Sequence, residues 1–290
     1  MRTRIGITLG DPAGIGPEVV RAALGSERIS AQADYQIVGE SVDCSPGEPS
    51  PATARSALAA LEEAVALAQR GEIDAVVTGP IHKARMYEVG FAFPGQTEFF
   101  AARYGVENYA MLLTGGALTV ALVTTHLPLS AVSASLRVSE IVRVGHLLAA
   151  FLRRRSRRCP RIAVAGLNPH AGESGTIGRE EIETVAPAVA ELSRTLANEA
   201  VVVGPISPDA VFQQAVAGEW DGVICMYHDQ GLIPLKLHAF AEGVNVTLGL
   251  PVPRTSPDHG TAFEIAGQGI ARPESMIAAI NLAVELAGKD

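Results

Sequence analysis

Three histidines lie directly after apolar stretches that predict buried strands. His126 follows VALVTT, His170 follows AVAGLNP and His228 follows VICMY. Because the carboxyl ends of neighbouring strands lie at one edge of a sheet, the three imidazoles can converge on one point. Three neutral imidazoles with one open position form a catalytic site for a divalent metal. The separations of 44 and 58 residues are no local ligand motif, and a strand-end histidine is more often a hydrogen-bonded structural residue, so both interpretations stay open.

Several polar residues around these histidines could bind an anion. Lys236 lies eight residues after His228, and Asn245 and Arg254 follow it. The turn Gly95-Gln96-Thr97-Glu98 precedes a predicted helix, and its backbone N-H groups and the Thr97 hydroxyl could hold a phosphate. An ordinary helix-capping turn explains the same four residues equally well.

These residues need a scaffold, and the chain predicts one in which strands alternate with helices. Predicted strands cover 4–9, 35–39, 74–78, 109–113, 119–124, 161–165 and 222–227, and predicted helices cover 50–70, 138–155, 179–198 and 273–288. This alternation predicts an α/β fold with a parallel or mixed sheet and right-handed crossovers.

Composition excludes several classes of function. The net charge of -8 and the pI near 5.4 argue against nucleic acid as the main partner. No run approaches the ~18 apolar residues of a membrane helix, and the first residues lack a signal-peptide core, so we expect a cytoplasmic protein. The three cysteines are far apart and form no CxxC, which supports neither a disulfide framework nor a thiolate zinc site.

Neither common nucleotide-binding motif is present. The chain has no GxGxxG and no GxxxxGK[ST], and the glycine-rich GDPAGIGPE has the wrong spacing for a dinucleotide fingerprint. If the protein binds NAD, the site must have another architecture.

Read together, nine collinear segments resemble the 4-hydroxythreonine-4-phosphate dehydrogenase family over nearly the whole chain. They are GDPAGIGPEVV, VVTGPIHKA, FPGQTEFFA, TTHLPL, GLNPHAGESGTIGREE, GPISPDAVF, YHDQGLIPLK, GVNVTLGLPVPRTSPDHGTAFEIAGQG and the final helix. The stretch DHGTAFEIAGQGIARP is also similar to the nucleotide loop of isopropylmalate and isocitrate dehydrogenases. This resemblance implies two α/β/α domains, residues 1–100 with 245–290 and residues 101–244, and an active site in the cleft between them.

The resemblance also implies roles for individual residues. The metal ligands fall on His126, His170 and His228, which would accept zinc, magnesium, cobalt or manganese. The substrate-binding residues fall on Gln96, Thr97, Lys236, Asn245 and Arg254. We assign NAD or NADP contacts to His259, Gly260, Thr261 and Ala262. As an inference of our own, Asp229 is a catalytic candidate that orients a ligand histidine, and Lys236 is the second catalytic candidate.

Two positions depart from the family pattern. The family usually has histidine where this chain has Gln96, and glutamine can donate a hydrogen bond to phosphate but cannot carry a positive charge. The segment 39–57 is shorter than in typical members. We expect the missing part to be a peripheral insertion, so that the active site is kept.

The activity implied is NAD(P)- and metal-dependent oxidation of 4-phosphohydroxy-L-threonine to 2-amino-3-oxo-4-phosphooxybutanoate. This product decarboxylates to 3-amino-2-oxopropyl phosphate in pyridoxal 5'-phosphate biosynthesis. The resemblance also implies a homodimer with the active site near the subunit interface. The alternatives are a sister dehydrogenase acting on D-threonate or D-erythronate 4-phosphate or on a dihydrodiol carboxylate, an NAD-independent metal hydrolase or lyase, and a non-catalytic metabolite-binding module.

Overall fold

A computed structural model describes residues 2–40, 42–156 and 158–288. The chain divides into two compact units, one formed by Met1–Glu107 with Ala241–Asp290 and the other by Asn108–Phe240. The domain limits expected from the sequence, at residues 100 and 244, differ from these by seven and four residues. The outer ends of the predicted first domain, residues 1 and 290, lie outside the described residues.

Strands and helices alternate along most of the described chain. The strands are β1 (Thr3–Thr8), β2 (Ala33–Val38), β3 (Ala75–Thr78), β4 (Ala110–Gly115), β5 (Leu118–Leu122), β6 (Arg161–Ala165), β7 (Val201–Ile206), β8 (Gly222–Cys225), β9 (Val244–Leu248) and β10 (Arg254–Pro257). The helices are α1 (Gly16–Leu24), α2 (Pro51–Gln69), α3 (Lys83–Glu88), α4 (Gln96–Tyr104), α5 (Leu129–Ser135), α6 (Val138–Ser156), α7 (Ala186–Thr195), α8 (Pro208–Val216), α9 (His228–Ala239) and α10 (Glu274–Ala287).

In the unit that contains both termini, the strand order is β2-β1-β3-β10-β9. All neighbours are parallel except β9 and β10, which are antiparallel. Helix α2 begins where its sequence requires, because Ser50 and Thr53 exchange side-chain-to-backbone hydrogen bonds and Pro51 occupies the first turn. Its alanine- and leucine-rich face packs with Phe99 and Phe100 in one apolar core.

In the other unit, the strand order is β4-β5-β8-β6-β7. Strands β4 and β5 form an antiparallel pair, and the remaining neighbours are parallel. Strands β5, β6 and β8 are apolar along almost their whole length, as expected for strands covered on both faces. His126 and His170 lie in the segments that follow β5 and β6, and His228 is the first residue of helix α9, which follows β8.

The predicted α/β fold with a mixed sheet is confirmed, and the differences have physical causes. Strands β7, β9 and β10 were not predicted. Strand β7 is partly exposed and the short β10, RTSP, has no apolar alternation, whereas β9, VNVTL, does alternate and was missed. The strand predicted over 222–227 ends at Cys225, since helix α9 begins at His228. The helix predicted over 179–198 is α7, preceded by a wider helical turn over Glu181–Val185. Among the described residues, no helix is long and apolar enough to cross a membrane.

Candidate active site

Arg254 is a buried cation in the unit that contains both termini. Its side chain donates to the hydroxyl of Thr78 at 2.5 Å and to Gln96 Oε1 at 3.0 Å, both from Nη2. The guanidinium carbon lies 5.6 Å from the centroid of the Phe100 ring, and Nε is buried without a hydrogen-bond partner. Burial lowers the pKa of Arg254 to about 9, an effect that the negative charge of Glu98 opposes. The group therefore stays charged at neutral pH.

The predicted polar turn lies at the start of helix α4. Gly95 is extended, and Gln96 and Thr97 are the first two helical residues, so backbone N-H groups of this first turn have no partner within the helix. Gln96 also donates from Nε2 to the Gly79 carbonyl at 3.2 Å. Thr97 is buried, with its hydroxyl 3.3 Å from that of Thr247. The N-cap residue is Gly95, so no side chain caps this helix. The backbone N-H groups of its first turn are therefore candidate anion donors.

Asn245 lies on the same face of the β9–β10 pair as Arg254. Asn245 and Thr247 are two residues apart on β9, so their side chains lie on the same face of the sheet. Thr247 is directly opposite Arg254 in the antiparallel register, which places Arg254 on that face as well. The Asn245 side-chain oxygen is buried without a hydrogen-bond partner. We call the side chains of Arg254, Gln96, Thr97, Asn245 and Thr247 the arginine site.

Glu98 and Thr247 also belong to this site, although neither was predicted as a site residue. Glu98 lies in the quoted turn GQTE, and one of its carboxylate oxygens is buried without a hydrogen-bond partner. Its charge also acts on Arg254. Thr247 contacts both Thr97 and Arg254, a relation that depends on strand register and left no sequence signal.

In the other unit, His126 and His228 lie close together. Their ring centroids are 5.7 Å apart with an interplanar angle of 41°. His228 Nδ1 lies 2.7 Å from Asp229 Oδ1, and an Nδ1-H pointed at this carboxylate leaves Nε2 with its lone pair. The separation and the donor type of these two rings fit ligands of one divalent cation.

His170 lies on a turn with an uncommon backbone. Residues 170–174 all have positive φ, and only one of them, Gly172, is a glycine. Such a left-handed conformation costs roughly 1 to 2 kcal/mol for each non-glycine residue, so the surrounding contacts must hold it. The carboxylate of Glu181, itself buried, accepts from the backbone N-H groups of Leu167 and Asn168, both at 2.7 Å.

The structure brings two of the three predicted metal ligands together. The exposed His170 has its Nδ1 2.9 Å from Glu173 Oε1. In residues 2–40, 42–156 and 158–288, no three His, Cys, Asp or Glu side chains form a group spaced to hold a metal. The three-histidine set therefore stays a prediction, supported in part by the His126–His228 pair.

Lys236 and Asp229 share a face of helix α9, because a separation of seven residues returns to nearly the same side after two turns. Lys236 is half-buried. The structure therefore places both predicted catalytic residues on the helix that begins with His228.

The predicted coenzyme residues 259–262 lie against the glycine-rich turn after β1. The Thr261 carbonyl accepts from the Ile15 N-H at 2.9 Å, and a Cβ atom on Gly14 would come within 2.8 Å of this carbonyl. His259 Nε2 is buried without a hydrogen-bond partner. A cavity beside this turn is lined by Gly267 and Gly269 of the same loop, and not by residues 259–262.

Comparison with known proteins identifies the class of protein. The family described as pyridoxal phosphate biosynthetic protein PdxA matches residues 16–283. A 4-hydroxythreonine-4-phosphate dehydrogenase from Desulfosudis oleivorans is 42% identical over 99% of this chain and 96% of its own length. The crystal structure of an enzyme of the same name from Klebsiella pneumoniae is 38% identical, with a TM-score of 0.87 over 100% of this chain and 99% of its own. This two-unit α/β protein is an oxidoreductase. The chain belongs to the PdxA family.

More distant structures support the predicted fold. A terephthalate 1,2-cis-dihydrodiol dehydrogenase from Burkholderia xenovorans is 29% identical, with a TM-score of 0.70 over 98% of both chains. A beta-decarboxylating dehydrogenase from Thermococcus kodakarensis, 17% identical with a TM-score of 0.55 over 96% of this chain and 81% of its own, shows the fold alone. The resemblance to isocitrate and isopropylmalate dehydrogenases is thereby confirmed at the level of the fold, and the hydrolase and binding-module alternatives lose support.

The comparison also bears on the length of the chain. The match to the Desulfosudis protein extends over 328 aligned positions, whereas this chain has 290 residues. At least 38 positions of that alignment therefore have no counterpart here. That they fall within the segment 39–57 stays a prediction.

Proposed function

We propose that this protein oxidises 4-phosphohydroxy-L-threonine with a nicotinamide coenzyme, and that the product decarboxylates to 3-amino-2-oxopropyl phosphate in vitamin B6 biosynthesis. The buried Arg254 is the observation that carries this proposal. Thr78, Gln96 and Thr247, which accept hydrogen bonds from its side chain, are neutral. Glu98 supplies a negative charge nearby, and the unpartnered Nε of this buried cation can still bind an anionic ligand. A guanidinium can bind phosphate or carboxylate in a bidentate way.

The residues of the arginine site would hold the anionic end of the substrate. The hydroxyl of Thr97 and the N-H groups of the first turn of α4 can donate to phosphate oxygens, and the side-chain amide of Asn245 can donate or accept. We propose that Lys236 Nζ orients the same substrate as a point charge.

His126, His228 and His170 would hold the divalent metal, which could be zinc, magnesium, cobalt or manganese. When bound, a divalent cation lowers the pKa of a hydroxyl and polarises a carbonyl, while the nicotinamide accepts hydride. Asp229 would act through His228 by accepting a hydrogen bond from Nδ1-H, a tautomer that leaves the Nε2 lone pair available to a metal ion. His259, Gly260, Thr261 and Ala262 would contact NAD or NADP.

The test is formation of NADH or NADPH from 4-phosphohydroxy-L-threonine, with D-threonate 4-phosphate assayed alongside. We expect turnover of the first substrate, loss of turnover with a chelator and recovery on adding zinc or magnesium. Turnover that survives exhaustive chelation would contradict the metal part of the proposal. The absence of turnover with the first substrate would contradict the proposed reaction.

A sister activity on threonate or erythronate 4-phosphate is the second candidate, and Gln96 is the observation that favours it. Gln96 accepts from Arg254 with Oε1 and donates to Gly79 with Nε2, so it adds no charge next to the arginine. Turnover of D-threonate 4-phosphate alone would support this candidate. The variant Gln96→His should then shift the ratio of kcat/KM towards 4-phosphohydroxy-L-threonine, whereas an unchanged ratio would show that Gln96 is a tolerated variation.

We also propose that the protein is a cytoplasmic homodimer with the active site near the interface. Helix α9 supports the dimer, because Ile233, Leu237 and Phe240 are 58%, 84% and 80% exposed. Large exposed apolar side chains on one element are typical of protein interfaces. Light scattering should give twice the chain mass, and Leu237→Asp should shift the protein towards the monomer. A monomeric wild-type protein would contradict this part, and cell fractionation tests the location.

A further inference from the structure

Gln230 is buried in the first turn of helix α9, two residues after His228. Both ends of its side-chain amide form hydrogen bonds. Oε1 accepts from the Met226 backbone N-H at 2.6 Å, and Nε2 donates to the Gly166 carbonyl at 2.7 Å. Because Met226 supplies a donor and Gly166 an acceptor, only one orientation of the amide satisfies both contacts. The side chain is therefore held between two backbone segments.

The Gly166 end of this connection leads to His170. Gly166 directly follows strand β6, and its N-H donates to the Ile206 carbonyl at 2.8 Å. A Cβ atom on Gly166 would come within 3.1 Å of Ala171, the residue next to His170. The left-handed turn therefore packs directly on Gly166, so a movement of Gly166 would displace His170 as well.

The Met226 end leads to the other two predicted metal ligands. Met226 lies two residues before His228, and its carbonyl accepts from the Thr124 hydroxyl at 2.8 Å and from the Thr124 N-H at 3.2 Å. Thr124 is itself buried and lies two residues before His126. Through Met226 and Gln230, the segments that carry the three histidines are joined by one path of hydrogen bonds.

Stabilising the fold is the simplest role of such an amide, since a buried polar group must be satisfied. The placement of its partners indicates a second role. Gly166 is 64 residues away in the sequence, at the end of a different strand, and each partner lies within four residues of a predicted ligand. A hydrogen bond between the ends of two strands sets their spacing, whereas a bond within one helix or one turn does not.

We propose that Gln230 is a positioning residue that sets the spacing between His170 and His228 for one shared divalent metal ion. The inference rests on the proposed metal-dependent function and deepens it. Metal-ligand distances must be met within about 0.2 Å, so a loosened spacing weakens binding although every ligand remains. Groups that hold metal ligands in place change metal affinity by about 10- to 100-fold, and the lower end applies here because Gln230 acts through the backbone.

The first experiment measures metal binding without turnover. Gln230→Met keeps the approximate length of the side chain and removes both hydrogen bonds. Metal-free protein is titrated with Zn²⁺ by calorimetry and with Co²⁺ by visible absorption, which reports the coordination geometry. We expect the variant to bind zinc about tenfold more weakly and to give a changed cobalt spectrum. Gln230→Asn, whose shorter amide cannot reach both partners, should show the same loss and replaces the first variant if that one does not fold.

The matched control is Thr114→Val. Thr114 is also buried in this unit, and its hydroxyl donates to the Leu118 carbonyl at 3.2 Å, at the opposite end of β5 from His126. Urea unfolding of the metal-free proteins should show that substitutions at both positions cost stability. Only the Gln230 variants should also lose zinc affinity.

A double-mutant cycle then separates positioning from stability. In the wild-type background, Gln230→Met should weaken zinc binding about tenfold. In a His170→Ala background it should weaken zinc binding by less than about twofold, because the spacing to a missing ligand no longer matters. A purely structural role would give the same loss in both backgrounds.

The outcomes separate this inference from the function on which it rests. Unchanged zinc affinity and cobalt spectrum in a folded Gln230 variant overturn the inference and leave the metal site intact. Equal losses in the two backgrounds of the cycle also overturn it, because they assign Gln230 to folding alone. If the wild-type protein binds neither ion, or if His170→Ala binds zinc as tightly as the wild type, the proposed three-histidine metal site is wrong and the inference with it.

Discussion

The arginine site and the three predicted metal-ligand histidines differ in how the protein holds them. Arg254 and Thr97 are almost fully buried, and each contacts Thr247 on strand β9. His126 and His170, by contrast, are exposed at the ends of turns, and His170 has a carboxylate partner from its own turn. The arginine site is therefore formed by the packed core. His126 and His170 depend on loops, and His228 is the first residue of helix α9.

The contacts of the arginine site should therefore serve mainly ligand binding, and those of the turn at His170 should serve mainly folding. In the arginine site, removing the charge should impair ligand binding more than folding, since a buried cation is costly to the free protein. In the turn at residues 170–174, four non-glycine residues have strained backbone, and the buried Glu181 holds the N-H groups of Leu167 and Asn168 just before it. Its removal should therefore impair folding first and metal binding as a consequence.

Arg254→Met should have the largest effect. We expect kcat/KM to fall by about 10²- to 10³-fold, since loss of a buried charged partner costs about 2 to 5 kcal/mol in binding. The free energy of unfolding should change little, because an apolar side chain replaces a buried charge. Steady-state kinetics and urea unfolding measure the two effects, and Arg103→Met, an exposed arginine paired with Glu62, is the control. A loss of stability without a loss of kcat/KM would show that Arg254 serves folding and not ligand binding.

Glu181→Ala should lower the free energy of unfolding by about 2 to 4 kcal/mol, because it leaves the N-H groups of Leu167 and Asn168 without their acceptor. Urea unfolding gives the value. Glu183→Ala, two residues along and exposed, should cost less than about 1 kcal/mol. Equal effects of the two substitutions would show that the buried carboxylate does not hold the turn.

Asp229→Asn should weaken metal affinity by about 10- to 100-fold, because the amide no longer fixes the tautomer of His228 as a carboxylate does. Calorimetric titration with the metal measures this affinity. Glu219→Gln, at an exposed position in the same unit, is the control. Full metal affinity and turnover in Asp229→Asn would remove the assigned role of Asp229.

Replacing Glu180 should change the free energy of unfolding least, and the size of this change depends on pH. Hydrogen bonds from Ser133 and Asn168 lower the pKa of Glu180 to about 2. A carboxyl group with a lowered pKa in the folded state contributes stability above its unfolded pKa of about 4.3, and the contribution is lost as pH falls towards 2. Because Glu180 is partly exposed to solvent, Glu180→Gln should cost less than about 1 kcal/mol at pH 7 and less still at pH 3. Urea unfolding at both pH values checks this, and a cost that grows at pH 3 would contradict the sign.

The sequence by itself determined the alternation of strands and helices, the family, and the strand-end positions of the three histidines. These features are local, because apolar runs and polar turns report burial at each point of the chain. The limits of β6 were predicted to the residue, since Arg161–Ala165 is an apolar run bounded by polar turns.

Only the tertiary structure decided which of these residues meet. Thr247 faces Arg254 through the β9–β10 register, and Gln96 reaches Arg254 across 158 positions of sequence. The left-handed turn at His170 and the hydrogen bond from Gln230 to Gly166 likewise depend on contacts with distant segments. Such relations left no periodicity in the sequence, because they are set by strand pairing and packing between segments far apart in the chain.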